Sequence, residues 1–349
     1  MLLIGTDEGI YRWTEGNNWP VFHSLQDRSV IGLASPGAGF LAALDGTGTI
    51  WESGNNGQTW HEVVLPDGTG RPSAIAVGGS PASILLTGNG LGHYRRMMGS
   101  TPKTASAIDR VRQATPVLIN RAKTIVAGKK GTTASAVSPS KRTANLNGWT
   151  KLGTPKVVAS PSVSAVAATP GAWFSAVSGD GLWRSVDEGT NWSRSEGLPA
   201  NVQAIRAVRG QAGHVYLATS DGVRFSSDAG KTWDDRSKGL EAARYVRTIE
   251  VCPDEPAFLL AGAAPAATGG GYGLFESKDA GKTWARVLRS FPENMQNDAI
   301  VDIRFDPAQP TNAAAAFASG EMWMTLTGGD YWQPFSRDLH SARVLCGID

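Results

Sequence analysis

Cysteine is almost missing from this chain: Cys252 and Cys346 are the two among 349 residues. That excludes a secreted-type disulfide framework and any cysteine-rich metal site. The five histidines, at 23, 61, 93, 214 and 340, show no metal-ligand spacing and no nucleophile partner. No Gly-rich phosphate loop lies between a strand and a helix. No metal and no cofactor are therefore expected. Long apolar runs are lacking too: nothing approaches the roughly 18 residues that cross a bilayer. Met1-Leu2-Leu3-Ile4-Gly5-Thr6-Asp7 has neither a basic start nor an apolar stretch of signal length. A cytoplasmic location is the resulting expectation. The formal net charge is only +2, which excludes polyanion binding by bulk charge.

What is present is glycine, at 42 residues, and tryptophan, at 12, which together indicate many turns and a recurring aromatic position. Apolar residues make up 41%, enough to build a core. One pattern recurs: an alternating apolar strand, a Gly turn, a second strand, then Ser-x-Asp-x-Gly-x-Thr-Trp. Clear copies run from Ser226 to Trp233, Ser277 to Trp284 and Ser185 to Trp192, the last with Asn191 in place of Thr. Ser53 to Trp60 carries Asn55 at the Asp position, and weaker copies end at Trp19 and Trp332. Trp149 precedes Thr150-Lys151-Leu152-Gly153, a typical post-box strand whose own box is eroded. The Trp positions 19, 60, 149, 192, 233, 284 and 332 are spaced 41, 89, 43, 41, 51 and 48 apart. A period of about 40–50 residues is that of a propeller, and the long gap is one period plus an insertion. The prediction is an all-β, seven-bladed propeller with four-stranded blades, one domain over residues 1–349.

Asp and Gly suit a tight hairpin, Asp by accepting turn amides and Gly by tolerating positive φ. Trp then packs between neighbouring sheets. Asp187, Asp228 and Asp279 recur once per blade, so they cannot share one active site and read as turn clasps. In these boxes the chain resembles the Asp-box (BNR-repeat) propellers. That group includes sialidases, sortilin-type receptors and the photosystem II assembly factors of the Ycf48 type. The resemblance covers nearly the whole chain, is closest in style to the Ycf48-type propellers, and is sialidase-like at fold level. It implies boxes on outer hairpins, away from the central channel.

Ring closure is also legible. Leu2–Thr6 matches the second strand of a blade, and the stretch from Ala342 to Gly347 reads as an inner strand with no blade after it. The two predict a shared first blade, which removes exposed sheet edges. A closed ring has no need of partners for stability, so a monomer is expected. Cys252 and Cys346 then fall in different blades, and no disulfide is expected.

Residues 95–142 break the rhythm within the third blade. They hold 11 basic residues (Arg95, Arg96, Lys103, Arg110, Arg112, Arg121, Lys123, Lys129, Lys130, Lys141 and Arg142) and one acid, Asp109. The rest of the chain keeps 22 basic and 30 acidic residues, a balance of −8. Such asymmetry points to an anionic partner or to self-association. Ser106-Ala107-Ile108-Asp109 resembles a capping box, and Thr115-Pro116 opens an apolar stripe from Val117 to Val126 at helical spacing. A partly helical, partly flexible insertion is expected. It reads either as a solvated excursion or as a docking site for an acidic protein or anionic surface. Nucleic acid is the weaker partner, because this segment has no Phe, Trp or Tyr on which bases could stack.

Sialidase chemistry, as the resemblance implies it, needs an arginine triad, a Tyr nucleophile helped by Glu and a separate acid. The Phe/Tyr-Arg-Ile-Pro tetrapeptide of that family is absent, and Arg71-Pro72 lacks its surroundings. Tyr245 and Arg247 share one side of a strand by alternation, with Arg244 and Glu250 on the other. No catalytic residue is assigned. Arg206, Glu250 and Arg304 recur at one position of three consecutive inner strands. They read either as an inter-blade ion-pair ladder or as an anion-binding channel mouth, with Arg28, Arg71, Arg244, Arg247 and Arg343 adding positive potential. The function expected is a non-enzymatic interaction scaffold or assembly factor binding an acidic partner. A glycan-binding or glycoside-hydrolysing propeller is the alternative.

Overall fold

The computed structural model describes residues 1–14, 20–37, 39–66, 70–78, 83–88, 92–98, 148–155, 162–268, 273–288, 291–293, 295, 297–336, 339 and 342–348. Within them the chain forms β1 (Leu2–Thr6), β2 (Gly9–Trp13) and β3 (Val21–Ser24), then β4 (Val30–Gly37), β5 (Phe40–Asp45), β6 (Ile50–Ser53) and β7 (His61–Val63). Next come β8 (Pro72–Gly78), β9 (Ser83–Gly88), β10 (Gly92–Met97) and β11 (Thr150–Lys151), and β12 (Val163–Thr169), β13 (Ala172–Val177), β14 (Gly181–Ser185) and β15 (Ser193–Arg194). β16 (Val202–Ala207), β17 (Val215–Thr219), β18 (Gly222–Ser226) and β19 (Asp234–Asp235) follow, with β20 (Tyr245–Val251), β21 (Leu259–Ala264), β22 (Gly273–Ser277) and β23 (Ala285–Arg286) after them. The last strands are β24 (Ile300–Asp306), β25 (Gln309–Phe317), β26 (Met322–Thr325), β27 (Gln333–Ser336) and β28 (Val344–Gly347).

These make seven antiparallel four-stranded sheets, one per blade. Six are built from consecutive strands. Blade 1 is ordered β28-β1-β2-β3, so the C-terminal strand supplies the inner strand that the N-terminal segment lacks. The closing register is Leu2 opposite Gly347 through Gly5 opposite Val344. The first strands of the sheets line up around the axis, each touching its counterpart in both neighbouring blades. The expected seven-bladed fold and its strand closure are thus present. Both cysteines are buried free thiols, Cys252 beyond β20 and Cys346 in β28.

The core lies in the seams between blades rather than inside any one sheet. Tyr216 and Ala218 of blade 5 pack on Val246, Leu259 and Trp284 of blade 6. Leu2, Ile4 and Leu345 of blade 1 pack on Ala314, Met322 and Phe335 of blade 7. A strand of a propeller blade has neighbours on both faces, so β1, β5, β13 and β21 are buried almost throughout and lose the apolar–polar alternation of a half-exposed sheet.

The box turns are hydrogen-bonded clasps. In blade 5 the Ser226 hydroxyl accepts the Gly230 amide at 2.7 Å and donates to Asp228 at 2.8 Å. Asp228 in turn accepts the amides of Lys231 and Thr232 at 2.9 Å each and the Thr232 hydroxyl at 2.7 Å. Those bonds, the Thr232 amide first, hold the Asp228 carboxyl well below the usual carboxylate range. The same wiring recurs around Asp187 and Asp279. It survives the loss of the acid: Asn55 accepts the Thr59 amide at 2.9 Å, and Thr327 accepts the Tyr331 amide at 2.9 Å. The conformation goes beyond the expected positive-φ glycine. Ala229, at φ 58°, and Gly230, at φ 79°, are both left-handed, and a Cβ on Gly230 would meet Phe174 of blade 4 at 2.5 Å.

Four of the tryptophans tie their blade to the one before it, whereas the buried indole N–H groups of Trp233 and Trp332 have no hydrogen-bond partner among the described residues. The indole N–H of Trp60 donates to Ser24 Oγ at 2.9 Å, Trp149 to the Val64 carbonyl at 3.0 Å, Trp192 to Gly153 at 2.9 Å and Trp284 to Arg236 at 2.8 Å. Trp149 therefore keeps its clasp in the blade whose box is eroded. Trp19 and the helical pattern expected between 106 and 126 lie outside the described residues.

Candidate functional site in the central channel

The inner strands share a local irregularity. In six of them the register to the second strand skips one residue near the strand start: Ile31, Ser73, Ser164, Gln203, Arg247 and Val301. Each is a β-bulge, which turns an extra side chain out of the ladder. All six line one cavity on the propeller axis, of about 240 Å³. Strict alternation therefore fails in β20, where Arg247 and the adjacent Thr248 both line the channel. The register sets Tyr245, Thr248 and Glu250 on one side of this strand, so the expected separation of Glu250 from Tyr245 and Arg247 does not hold.

Below the bulges the two halves of the channel differ. Blades 2, 3 and 4 present Gly32, Ala74 and Ala165 to the cavity. Blades 5, 6 and 7 hold a charged cluster. Arg206 Nε donates to Glu250 at 2.6 Å, and Arg304 Nη1 reaches Glu250 at 3.2 Å and Asp302 at 2.7 Å. Arg206 also stands 3.6 Å from Asp302. Asp302 accepts two main-chain amides, from Ile303 at 3.0 Å and from Leu345 of blade 1 at 2.9 Å. The sequence pattern aligned Arg206, Glu250 and Arg304 and missed Asp302, which stands two residues before Arg304 and carries much of the pairing. Two guanidinium groups against two carboxylates leave the cluster neutral. Burial opposes the charge of Arg304, yet Asp302 and Glu250 hold its pKa above the ordinary value.

The other arginines expected at the channel mouth divide into two groups. Arg343 is bidentate to Asp7, at 2.6 and 2.8 Å. Arg244 bonds Asp221 at 2.6 Å and Asp235 at 3.2 Å. Arg28 lies 3.6 Å from Asp45 and over the Trp51 ring at 5.2 Å. Arg71 and Arg247 are exposed and form no ion pair among the described residues.

Of the 11 basic residues between 95 and 142, Arg95 and Arg96 belong to β10 rather than to the excursion, because the strand ladder continues to Met97. Arg95 pairs with Glu188 of blade 4 and lies 5.5 Å over Trp173. Arg96, 3% exposed, stands where other blades carry the box serine and pairs with Glu52 of blade 2. Both serve as inter-blade contacts. Lys103, Arg110, Arg112, Arg121, Lys123, Lys129, Lys130, Lys141 and Arg142 lie outside the described residues. Among the described residues no three His, Cys, Asp or Glu side chains are grouped to hold a metal ion, and no helix is long and apolar enough to cross a membrane.

Comparison with known proteins shows the fold from two directions. A family model described as the DUF6242 beta propeller domain matches residues 100–244. Xyloglucanase Xgh74A of Acetivibrio thermocellus is 34% identical over 157 residues, covering 43% of this chain and 18% of the enzyme. A probable oligoxyloglucan-reducing end-specific xyloglucanase of Neosartorya fischeri is 30% identical over 138 residues, or 37% of this chain and 17% of the relative. The chain thus spans less than a fifth of the length of these curated relatives. Among solved structures, the GH74 enzyme of Niastella koreensis superposes with a TM-score of 0.65 at 15% identity, over 95% of this chain and 51% of that one. YCF48 bound to a D1 peptide superposes at 0.57 and 14% identity, over 95% of this chain and 89% of that one. The chain is a β-propeller with both GH74 and Ycf48 propellers as structural neighbours.

Proposed function

We propose that the protein is a non-enzymatic interaction scaffold of the Asp-box type that binds an acidic segment of a protein partner. The observation that carries this reading is the state of the arginines expected at the channel mouth. Arg206, Arg304, Arg244, Arg343 and Arg28 are already met by carboxylates, whereas Arg71 and Arg247 stand exposed without an ion pair among the described residues. Arg247 lines the channel cavity as a bulge residue, and an exposed guanidinium there is ready to take a carboxylate in bidentate fashion. The basic residues between 103 and 142 supply a second, longer-range attraction for the same class of partner. The structural neighbour solved with a D1 peptide is a propeller that binds a protein segment, in keeping with this reading.

Binding of a fluorescent Asp/Glu-rich peptide to the whole chain tests it. Arg247→Ala and Arg71→Ala should each weaken binding several-fold, deletion of residues 99–147 should weaken it further, and added salt should weaken all three comparisons. Binding that ignores salt and every one of these changes would remove the proposal.

A glycan reading is favoured by the identity to the two xyloglucanases. Glycoside hydrolysis needs a carboxyl group kept protonated near neutral pH beside an ionised one. Glu250 and Asp302 instead each face arginines, and the resolved shifts at Asp45, Asp187, Asp221, Asp228, Asp235, Glu241 and Asp279 are all downward. Calorimetry with xyloglucan oligosaccharides, paired with a reducing-sugar assay, separates the two readings, because release of reducing ends by purified protein favours the second.

A further inference from the structure

The seam between blades 3 and 4 differs chemically from the others. In the third strand of six blades one core position is aliphatic or Met: Ile10, Ile50, Leu182, Val223, Leu274 and Met322, all buried. In blade 3 the pairing register puts His93 there, opposite Thr87. His93 is 2% exposed and Thr87 1%. His93 Nε2 bonds the buried Ser175 hydroxyl of blade 4 at 2.8 Å, and its ring stacks on Trp192 with centroids 4.8 Å apart. His93 Nδ1 and Thr87 Oγ1 are both buried without a hydrogen-bond partner among the described residues. A polar seam has replaced an apolar one at the blade from which the box was lost.

We propose that this seam is an acid-sensitive latch, with His93 as its proton-binding residue. Neutral imidazole has one N–H and one acceptor nitrogen; Nε2 is bonded to Ser175, and Nδ1 can remain an unprotonated lone pair. Imidazolium carries a second N–H with no acceptor bonded to it, and it places a full charge in a buried site. The charged groups on the surrounding elements do not offset that. Arg95 on the same strand is positive and already paired with Glu188, itself exposed at the edge of the seam. Arg96 points to Glu52 across the opposite seam. Lys151 on β11 is exposed, and Asp187 in the facing box is occupied by Asn191 and Ser185. Burial alone accordingly pushes the His93 pKa down to about 4 from 6.5.

The sign follows from linkage. The folded pKa lies below the unfolded one, so the opened seam binds the extra proton. Stability is full above about 6.5 and declines as pH falls toward 4. By pH 4.5 the opening equilibrium should rise by roughly a hundredfold, at tenfold per pKa unit.

Hydrogen exchange of the whole chain at pH 7 and 4.5, read by mass spectrometry and corrected for the intrinsic pH dependence of exchange, tests the latch. Protection should fall in β10, β13 and β14, while β17 and β21 on either side of the blade 5–6 seam stay protected. His93→Leu, which installs the residue of the equivalent position in blades 4 and 6, should abolish the acid response. His93→Gln keeps a polar neutral group against Ser175 and should do the same if the leucine variant folds poorly. An identical pH response in wild type and both variants would overturn the proposal, and so would uniform loss of protection across all seams.

Discussion

At the scale of single residues, the box acid is a turn acceptor whose chemistry can be exchanged within limits. Asp228 accepts two amides and two hydroxyls through its two oxygens, while Asn55 and Thr327 hold the equivalent turns with one oxygen. Asp228→Asn should therefore cost little, and Asp228→Ala should cost about 1–2 kcal/mol, because it strands turn donors of a half-buried loop. Thermal melts of the two variants check the ordering, and equal midpoints would contradict the clasp. Acid should weaken the boxes in the usual carboxylate direction. A depressed folded pKa gives stability that is present above the unfolded value near 3.8 and is lost as pH falls below it. This effect lies at lower pH than the decline assigned to His93, so the two are separable.

At the scale of elements, the inner strands do two jobs at once. Their apolar residues, such as Val246, Ile249 and Ile303, fill seams, while the bulged and polar positions shape the channel. The ion cluster joins β16, β20, β24 and β28 through Asp302, which is 6% exposed. Arg304→Met would leave Asp302 and Glu250 sharing Arg206 alone, at a cost of about 3–5 kcal/mol. Urea unfolding measures it, and a loss below 1 kcal/mol would mean that the cluster is solvated rather than coupled. The ladder was visible in the sequence because Arg206, Glu250 and Arg304 recur in phase with the repeat. Its net neutrality was not, since Asp302 enters through a bulge that shifts the register, and a register shift is a property of two paired strands.

At the scale of the whole molecule, stability depends on closure. β28 covers an otherwise open edge of β1, and Leu345 and Cys346 seal the seams to blades 7 and 2. Deleting residues 342–349 should yield aggregated or unfolded protein, because each end of the ring then exposes an apolar seam and an unpaired edge. Moving the same segment ahead of Met1 with a short linker, so that blade 1 becomes contiguous, should restore the fold. Circular dichroism and size-exclusion chromatography of the two variants make the comparison. A truncated chain that stays monomeric and folded would show that the other six blades suffice.

The seven-fold repeat, its period and its shared first blade were determined by the sequence alone, because turn chemistry and Trp spacing are local and recur once per blade. Tertiary structure decided what depends on which side chains meet across a seam. Arg95 and Arg96, counted with the basic segment by position, are strand residues neutralised by Glu188 and Glu52 from other blades. His93 was one of five scattered histidines until the ring set it against Ser175 and Trp192. The seven arginines expected at the channel mouth look alike in sequence, and only folding separates the five that meet carboxylates from Arg71 and Arg247. Charge state and access are set by neighbours distant in the chain, and a linear sequence does not name those neighbours.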